Sequence, residues 1–425
     1  MIRTLLLATD RKFWRDDRGS RARIASLCRH FLGRGMVLHV FFVGDMTPGD
    51  LKRLRARFPA VHLHAVHPLR LHAMVILRQL GARLARIGTR IRRWVRRSAG
   101  PRVAVAQGAR ARPSQPPAER TLADFRSAPA QSAFQTICRR LKPGAVIVEY
   151  VRRAYLIEGL GGGRDEPSLT LIDTLDVMSD RCRRYRERGE AHWINISEAE
   201  EKQVLARFDV IVAIQPSDAA RFREMLPQKR VVTAMHASPI LLQPPREREP
   251  VRMLYLATGD RVNLLAIESF LAEVWPSLSE RLADRARLLL AGNICKHFDP
   301  VVLPPGVDLA GYVEDLNALY GETHIVVNPV AFGGGLKIKN VEALCRAKPL
   351  VTTPAGAQGI EDGAEEAFQV CDSPDGMVDA LTALVERPEL RARMAEKAHR
   401  FALDHFSEDK AYAELDALLG SAANA

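Results

Sequence analysis

Short, wholly apolar segments alternate with amphipathic ones along most of this chain, and the alternation runs twice. "RTLLLATD", "MVLHVFFVGD", "AVIVEYV", "SLTLIDT", "DVIVAI" and "RVVTAMHA" make the first set. "MLYLATG", "ARLLLAG", "VDLAGYV", "HIVVNPV" and "PLVTTPAG" make the second. Runs this short and apolar are strands buried on both faces, and helical patterns between them imply βαβ units with parallel sheets. "PILLQPPREREPVRM", with Pro239, Pro244, Pro245 and Pro250, separates the two sets. The expected class is therefore α/β, with two Rossmann-like parallel-sheet domains facing a cleft. The boundaries read as 1–240, a linker at 241–252, a second domain at 253–405 and a C-terminal helix at 406–425.

Local signals fix some helix ends. "RARIASLCRHFLGRG" stops at Gly33-Arg34-Gly35, a C-cap signal, and Ser197-Glu198-Ala199-Glu200 fits a capping box opening "EAEEKQVLARF". The six cysteines stand singly, without CxxC spacing or a His partner, so neither a zinc site nor a disulfide framework is expected. No apolar run approaches the roughly 20 residues of a membrane-spanning helix, and the N-terminus reads as a strand rather than a leader. A cytoplasmic location is the expectation.

The formal charge of +12 is local: residues 51–118 hold 16 of the 62 Lys and Arg and no acidic residue. Within a basic insertion at about 68–118, Leu80, Leu84, Ile87, Ile91, Trp94 and Val95 share one helical face and Arg86, Arg90, Arg93 and Arg97 the other. One reading places residues 70–112 on an anionic membrane surface, peripheral to the inner face of the cell membrane. The other packs the apolar face on the sheet and leaves the arginines in solvent. Aromatic residues are too sparse there, and nucleic-acid motifs too few, to expect a nucleic-acid partner.

The densest chemistry lies in "PVAFGGGLKIKNVEALCRAKPLVTTPAGAQGI", residues 329–360. Gly333, Gly334 and Gly335 follow a strand, where α/β sheets bind ligands, and glycines let a ligand approach the backbone. Lys337, Lys339 and a helix N-terminus near Ile338 suit phosphate groups, and Glu342 one turn on suits hydroxyl donors such as a ribose diol. A flexible turn with solvated lysines is the competing reading. Gly161-Gly162-Gly163 precedes a strand and is read as a loop. Gly19 and Ser20, opening a helix after the first strand, are better placed at a cleft.

The stretch from "GYVEDL" through the Asn-Pro before the glycine loop, the K-x-K-x-x-EAL helix start and "GAQGI" resembles the nucleotide-sugar half of family 4 (group 1) glycosyltransferases. The likeness is strong across about 253–405 and looser through "TLIDTLDVMSDR" and "EEKQVLARFDVIVAIQPSDAARF". It implies the GT-B fold and transfer of a sugar from a UDP-, GDP- or ADP-sugar to a glycan or lipid-linked acceptor, retaining and without metal or other cofactor, in surface polysaccharide or glycolipid synthesis. It also implies site roles. Glu342 would hold the ribose, Gly259 and Arg261 would meet the diphosphate, and Gly311, Tyr312 and Val313 would line the base. Gly333, Gly334, Gly335 and Leu336 would form the donor loop. Lys337 and Lys339 would supply charge, because Asn263 stands near where the family carries a lysine. Asp176 would act near the reacting sugar, with Gly19 and Ser20 on the acceptor side. By position alone, His236 at the end of "RVVTAMHA" is a further acceptor-side candidate, against the plainer reading of a structural histidine. Two positions depart from the family. Gly334 replaces the first of a pair of glutamates, and Leu175 replaces the histidine of an Asp-Thr-His-Asp motif at Asp173-Thr174-Leu175-Asp176. These departures keep open a non-catalytic sugar-nucleotide or glycan-binding protein; a nucleotide-sugar epimerase, the further alternative, would need cleft carboxylates that the sequence does not point out.

Overall fold

The computed structural model describes residues 2–15, 19–66, 119–160, 167, 169–243 and 249–421. The basic insertion at 68–118, with its membrane-surface reading, and the Gly161–Gly163 loop lie outside the described residues, as do Pro244 and Pro245.

The first sheet contains β1 (Thr4–Thr9), β2 (Val37–Phe42), β3 (His62–Ala65), β4 (Ala145–Glu149), β5 (Thr170–Thr174), β6 (Val210–Ala213) and β7 (Arg230–Thr233). They lie in the order β3-β2-β1-β4-β5-β6-β7 and every pairing is parallel. The second contains β8 (Val251–Leu256), β9 (Ala286–Ala291), β10 (Val307–Gly311), β11 (Ile325–Asn328), β12 (Leu350–Thr352) and β13 (Gln369–Val370). Its order is β10-β9-β8-β11-β12-β13, again all parallel. Both sheets reverse strand order beside their first strand, and ligands of open α/β sheets bind at such switch points.

Each sheet is buried on both faces, as continuous apolar runs require. Leu5 and Leu7 point into one layer of core, and Leu6 and Ala8 into the other. The capping box at Ser197 forms as expected, with its hydroxyl accepting from the Glu200 N–H. A second one at Thr47 and Asp50 starts the helix Pro48–Arg57.

The C-terminal segment does not stay with the second domain. After the helix Pro388–His405 the chain crosses back, and Tyr412, Leu415, Leu418 and Leu419 bury themselves in the same core as Leu5 and Leu7. The crossing is pinned by polar contacts. The Met235 N–H donates to the Ala411 carbonyl at 3.0 Å, and the Tyr412 hydroxyl donates to Ser26 at 2.8 Å. Burying four such side chains contributes about 1.5–3 kcal/mol each. The two domains also touch directly: Ala22 and Ile214 pack with Leu336 and Ile338, and Tyr185 packs with Val262 and Phe332.

Candidate active site

A cleft of about 830 Å³ opens between the two sheets. Its walls come from the loops after β1 (Asp10, Arg11), β4 (Tyr150, Arg152), β5 (Leu175, Asp176), β8 (Ala257 to Asp260) and β11 (Val330, Phe332).

On the second domain's side, Gly333, Gly334, Leu336, Lys337, Lys339, Glu342, Gly259, Arg261, Tyr312 and Val313 all line it. The helix Ile338–Leu344 begins without a side-chain cap. Lys337 donates to the Gly335 carbonyl at 2.8 Å, so its ammonium rests on the glycine loop itself. Lys339 donates to Asn263 Oδ1 at 2.9 Å and lies 4.8 Å over the Tyr255 ring. The ammonium therefore reaches the place where the family resemblance puts a lysine and this chain has Asn263. Burial, aided by Arg181, Lys339 and Arg184, brings the Lys337 pKa down to about 7. Burial brings Lys339 down to about 8, and Asp260 opposes that shift. Two partly buried ammoniums thus stand with no carboxylate directly on them among the described residues, the condition in which an added anion binds well.

Arg261 is more exposed and pairs across the cleft with Glu190 at 3.2 Å. It opens the helix Arg261–Ser269, whose N-terminus already holds a cap: Asp260 accepts from the Asn263 N–H at 3.1 Å. At Gly259 a Cβ would lie 2.4 Å from His297 Nε2, so a side chain there would displace the His297 ring.

The glycine loop meets the first domain. Gly335 has φ +67°, and a Cβ there would sit 2.4 Å from the Leu175 carbonyl oxygen. A Cβ on Gly334 would come 3.3 Å from Arg181 Cβ. Arg184 donates to the Gly333 carbonyl at 2.8 Å. The position where the family carries a glutamate is thus covered by the stem of Arg181. Arg181 pairs with Asp176 at 2.6 Å, while Asp176 Oδ1 and Arg181 Nε make no other hydrogen bond among the described residues.

Three expected residues lie elsewhere. His236 is buried away from the cleft, and burial with Arg23 nearby lowers its pKa to about 3. The cause is the helix Gly19–Gly33: Arg23 donates to the Met235 carbonyl at 2.6 Å and Ser26 to the Ala237 carbonyl at 2.7 Å, drawing this segment into the first domain. Gly311, φ +68°, ends β10 behind Tyr312 and does not line the cleft. Gly335 faces Leu175 rather than the open space. Asp173 is held inside by Arg23 at 2.8 Å, leaving Asp176 as the cleft carboxylate of that motif. Gly19 and Ser20 do line the cleft, and Gly19 abuts Ile338: a Cβ would be 3.2 Å from Ile338 Cβ. Sequence reasoning missed Arg11, Arg152, Arg181, Trp193 and His297, which all line it as well. Only position after a strand could have flagged the first two.

Solved structures align over nearly the whole chain. Sucrose-phosphate synthase from Thermosynechococcus elongatus aligns with TM-score 0.69 and 12% identity, covering 99% of this chain and 98% of that one. A TarM variant from S. aureus, in complex with Fondaparinux, alpha-GlcNAc-glycerol and UDP, aligns with TM-score 0.68 and 9% identity, covering 98% and 100%. Anabaena HepE in complex with UDP-glucose aligns with TM-score 0.63 and 12% identity, covering 98% and 99%. The fold is GT-B. Within this GT-B chain, residues 250–387 match the family described as Glycosyl transferases group 1. No curated protein matches the chain in sequence. Among the described residues, no group of three His, Cys, Asp or Glu is placed to hold a metal, and no helix is long and apolar enough to cross a membrane.

Proposed function

We propose that this GT-B protein is a family 4-like glycosyltransferase that moves a sugar from a nucleoside-diphosphate sugar to a glycan or lipid-linked acceptor, with retention, in surface polysaccharide or glycolipid synthesis. One observation carries the reading: Lys337 and Lys339, both with depressed pKa, converge on the cleft that Arg261 and Glu342 also line. Half-desolvated ammoniums gain most from a dianion, and Glu342 is spaced to take ribose hydroxyls beside it. The TarM and HepE structures hold UDP and UDP-glucose, which makes UDP-glucose the first donor to test.

In the reaction, the acceptor hydroxyl oxygen bonds to the anomeric carbon as the bond from that carbon to the β-phosphate oxygen breaks. Retention without a covalent intermediate has both events on one face, and the hydroxyl proton passes to the leaving phosphate oxygen. The chain's part is electrostatic: Lys337, Lys339 and Arg261 meet the charge that develops on the diphosphate, so the side chains supply the positive charge the departure needs. The Asp176–Arg181 pair, at the seam of the two domains, fixes the floor on which the donor sugar rests.

The test is calorimetric titration of UDP, GDP, ADP and their sugar conjugates into the wild type and Glu342→Ala. One base should bind, and the substitution should weaken it by about 1.5–3 kcal/mol, the worth of a charged hydrogen bond. A silent Glu342→Ala would remove the nucleotide reading. Leu175 and Gly334 favour a second reading, a binding protein without turnover, and transfer assays with the bound donor separate the two.

A further inference from the structure

The cleft wall opposite the lysines is built from arginines and aromatic rings. Asp10 and Arg11 follow β1, and Tyr150 and Arg152 follow β4. The Arg152 side chain is only 4% exposed and lies 4.6 Å over the Tyr150 ring and 5.4 Å over Trp193. Its Nε donates to Asp10 at 3.0 Å and its Nη2 also binds Asp10, but its buried Nη1 has no hydrogen-bond partner among the described residues. A buried guanidinium N–H without an acceptor is costly, and a ligand oxygen removes that cost. Arg11 lies beside it, 5.6 Å over the same Tyr150 ring. Its Nε makes the long contacts, 3.5 Å to Glu149 and 3.6 Å to Asp10.

The charges do not cancel. Arg11, Arg152 and Arg153 face two carboxylates, Asp10 and Glu149, of which Glu149 is fully buried and has its pKa raised by that burial. Asp10 is fully engaged, accepting from both Arg152 and Arg153. A net positive charge is left on the wall. Tyr150 also holds φ +75° here, a conformation costly for a side chain of its size and one that marks sites under functional constraint. Beside Arg152, Phe125 and Trp193 meet edge to face at 5.7 Å, giving an apolar rim that suits the C–H face of a sugar ring.

The geometry points to an acceptor subsite for an anionic sugar: a saccharide whose phosphate or carboxylate seats on Arg152 and Arg11 while its ring lies against Trp193. The inference rests on the transferase reading for the word acceptor, but the anion site stands on its own contacts. It is separate from the diphosphate site, which lies on the other domain.

Glucose, glucuronate and glucose 6-phosphate are titrated by saturation-transfer NMR and calorimetry into the full chain, with and without saturating nucleoside diphosphate. Variants are Arg11→Gln, chosen because Arg152 holds a buried carboxylate and its loss threatens folding, and Arg261→Gln on the donor side. The expected result is that at least one charged sugar binds about tenfold or more tighter than glucose. The preference should vanish in Arg11→Gln and survive in Arg261→Gln. Whether glucuronate or glucose 6-phosphate leads tells a carboxylate from a phosphate acceptor. Equal binding of all three sugars overturns the subsite, as does a preference that survives Arg11→Gln or is lost with Arg261→Gln. If nucleotides fail to bind but the Arg11-dependent preference is present, the transferase reading falls and the anion site remains.

Discussion

Raising the pH from 6 to 8 should weaken nucleoside-diphosphate binding, because the two lysines proposed to meet the diphosphate are already partly discharged in the free protein. Their ordinary pKa is 10.5, and here Lys337 stands at about 7 and Lys339 at about 8. At pH 6 both are almost fully charged; at pH 8 Lys337 is about one-tenth charged and Lys339 about half. If the complex holds both as ammoniums, recharging them at pH 8 costs about tenfold and about twofold in affinity, or about 1.8 kcal/mol together. The ligand's terminal phosphate ionises near pH 6 and returns about twofold over the same interval. The net expectation is a Kd about tenfold weaker at pH 8 than at pH 6, with uptake of about 1.4 protons per nucleotide at pH 8. Calorimetry in buffers of different ionisation enthalpy reads both quantities. Lys337→Met should flatten most of the slope. Stability of the free protein runs the opposite way: both folded-state pKa values lie below the unfolded value, so these lysines add stability as pH rises from about 7 toward 10.5. An affinity constant over pH 6–8.5, with no buffer-dependent heat, would refute the placement of the diphosphate on these lysines.

Other perturbations test the seam between the domains. Gly335→Ala forces a Cβ to within 2.4 Å of the Leu175 carbonyl at positive φ, whereas Gly334→Ala meets only Arg181 methylenes at 3.3 Å and beyond. The first should cost about 1–3 kcal/mol and lower both Tm and nucleotide affinity, the second much less; similar Tm values for the two would contradict the contact. Arg181→Met strands the buried Asp176 carboxylate and should destabilise by about 3–5 kcal/mol in urea unfolding, with Asp176→Asn added to it recovering a large part. Removal of residues 406–425 should lower the unfolding midpoint of the first domain and expose dye-binding apolar surface, although the segment follows the second domain in sequence. A truncated chain with an unchanged midpoint would show that Tyr412, Leu415, Leu418 and Leu419 contribute little there.

What the sequence revealed follows from how much apolar surface each segment carries. The buried central strands are continuous Val, Leu and Ile runs and were legible at once. β3 reads His-Leu-His-Ala at the sheet edge and β13 is two residues long, so neither carries a periodic signal. The helix Pro48–Arg57 was passed over for a related reason: arginines and lysine dilute its apolar stripe. The tail shows the limit of pattern reading most directly. Its leucine spacing says that one face is buried, but the partners are β7 and the helix Gly19–Gly33, the latter some four hundred residues earlier. No local pattern holds that information.

The glycine loop was legible as a site for one reason and is built for a second. Its glycines were expected to let a ligand close to the backbone. In the structure, Gly334 and Gly335 clear space for the first domain instead, with Leu175 and Arg181 filling it. The same loop also lends its Gly335 carbonyl to Lys337. A diphosphate that takes Lys337 for itself releases that carbonyl, and the carbonyl belongs to the residue pressed against Leu175. The proposed diphosphate contact and the fit between the domains therefore share one three-residue segment. Leu175 fits this arrangement, since what the loop meets there is its backbone oxygen, which any residue at that position supplies.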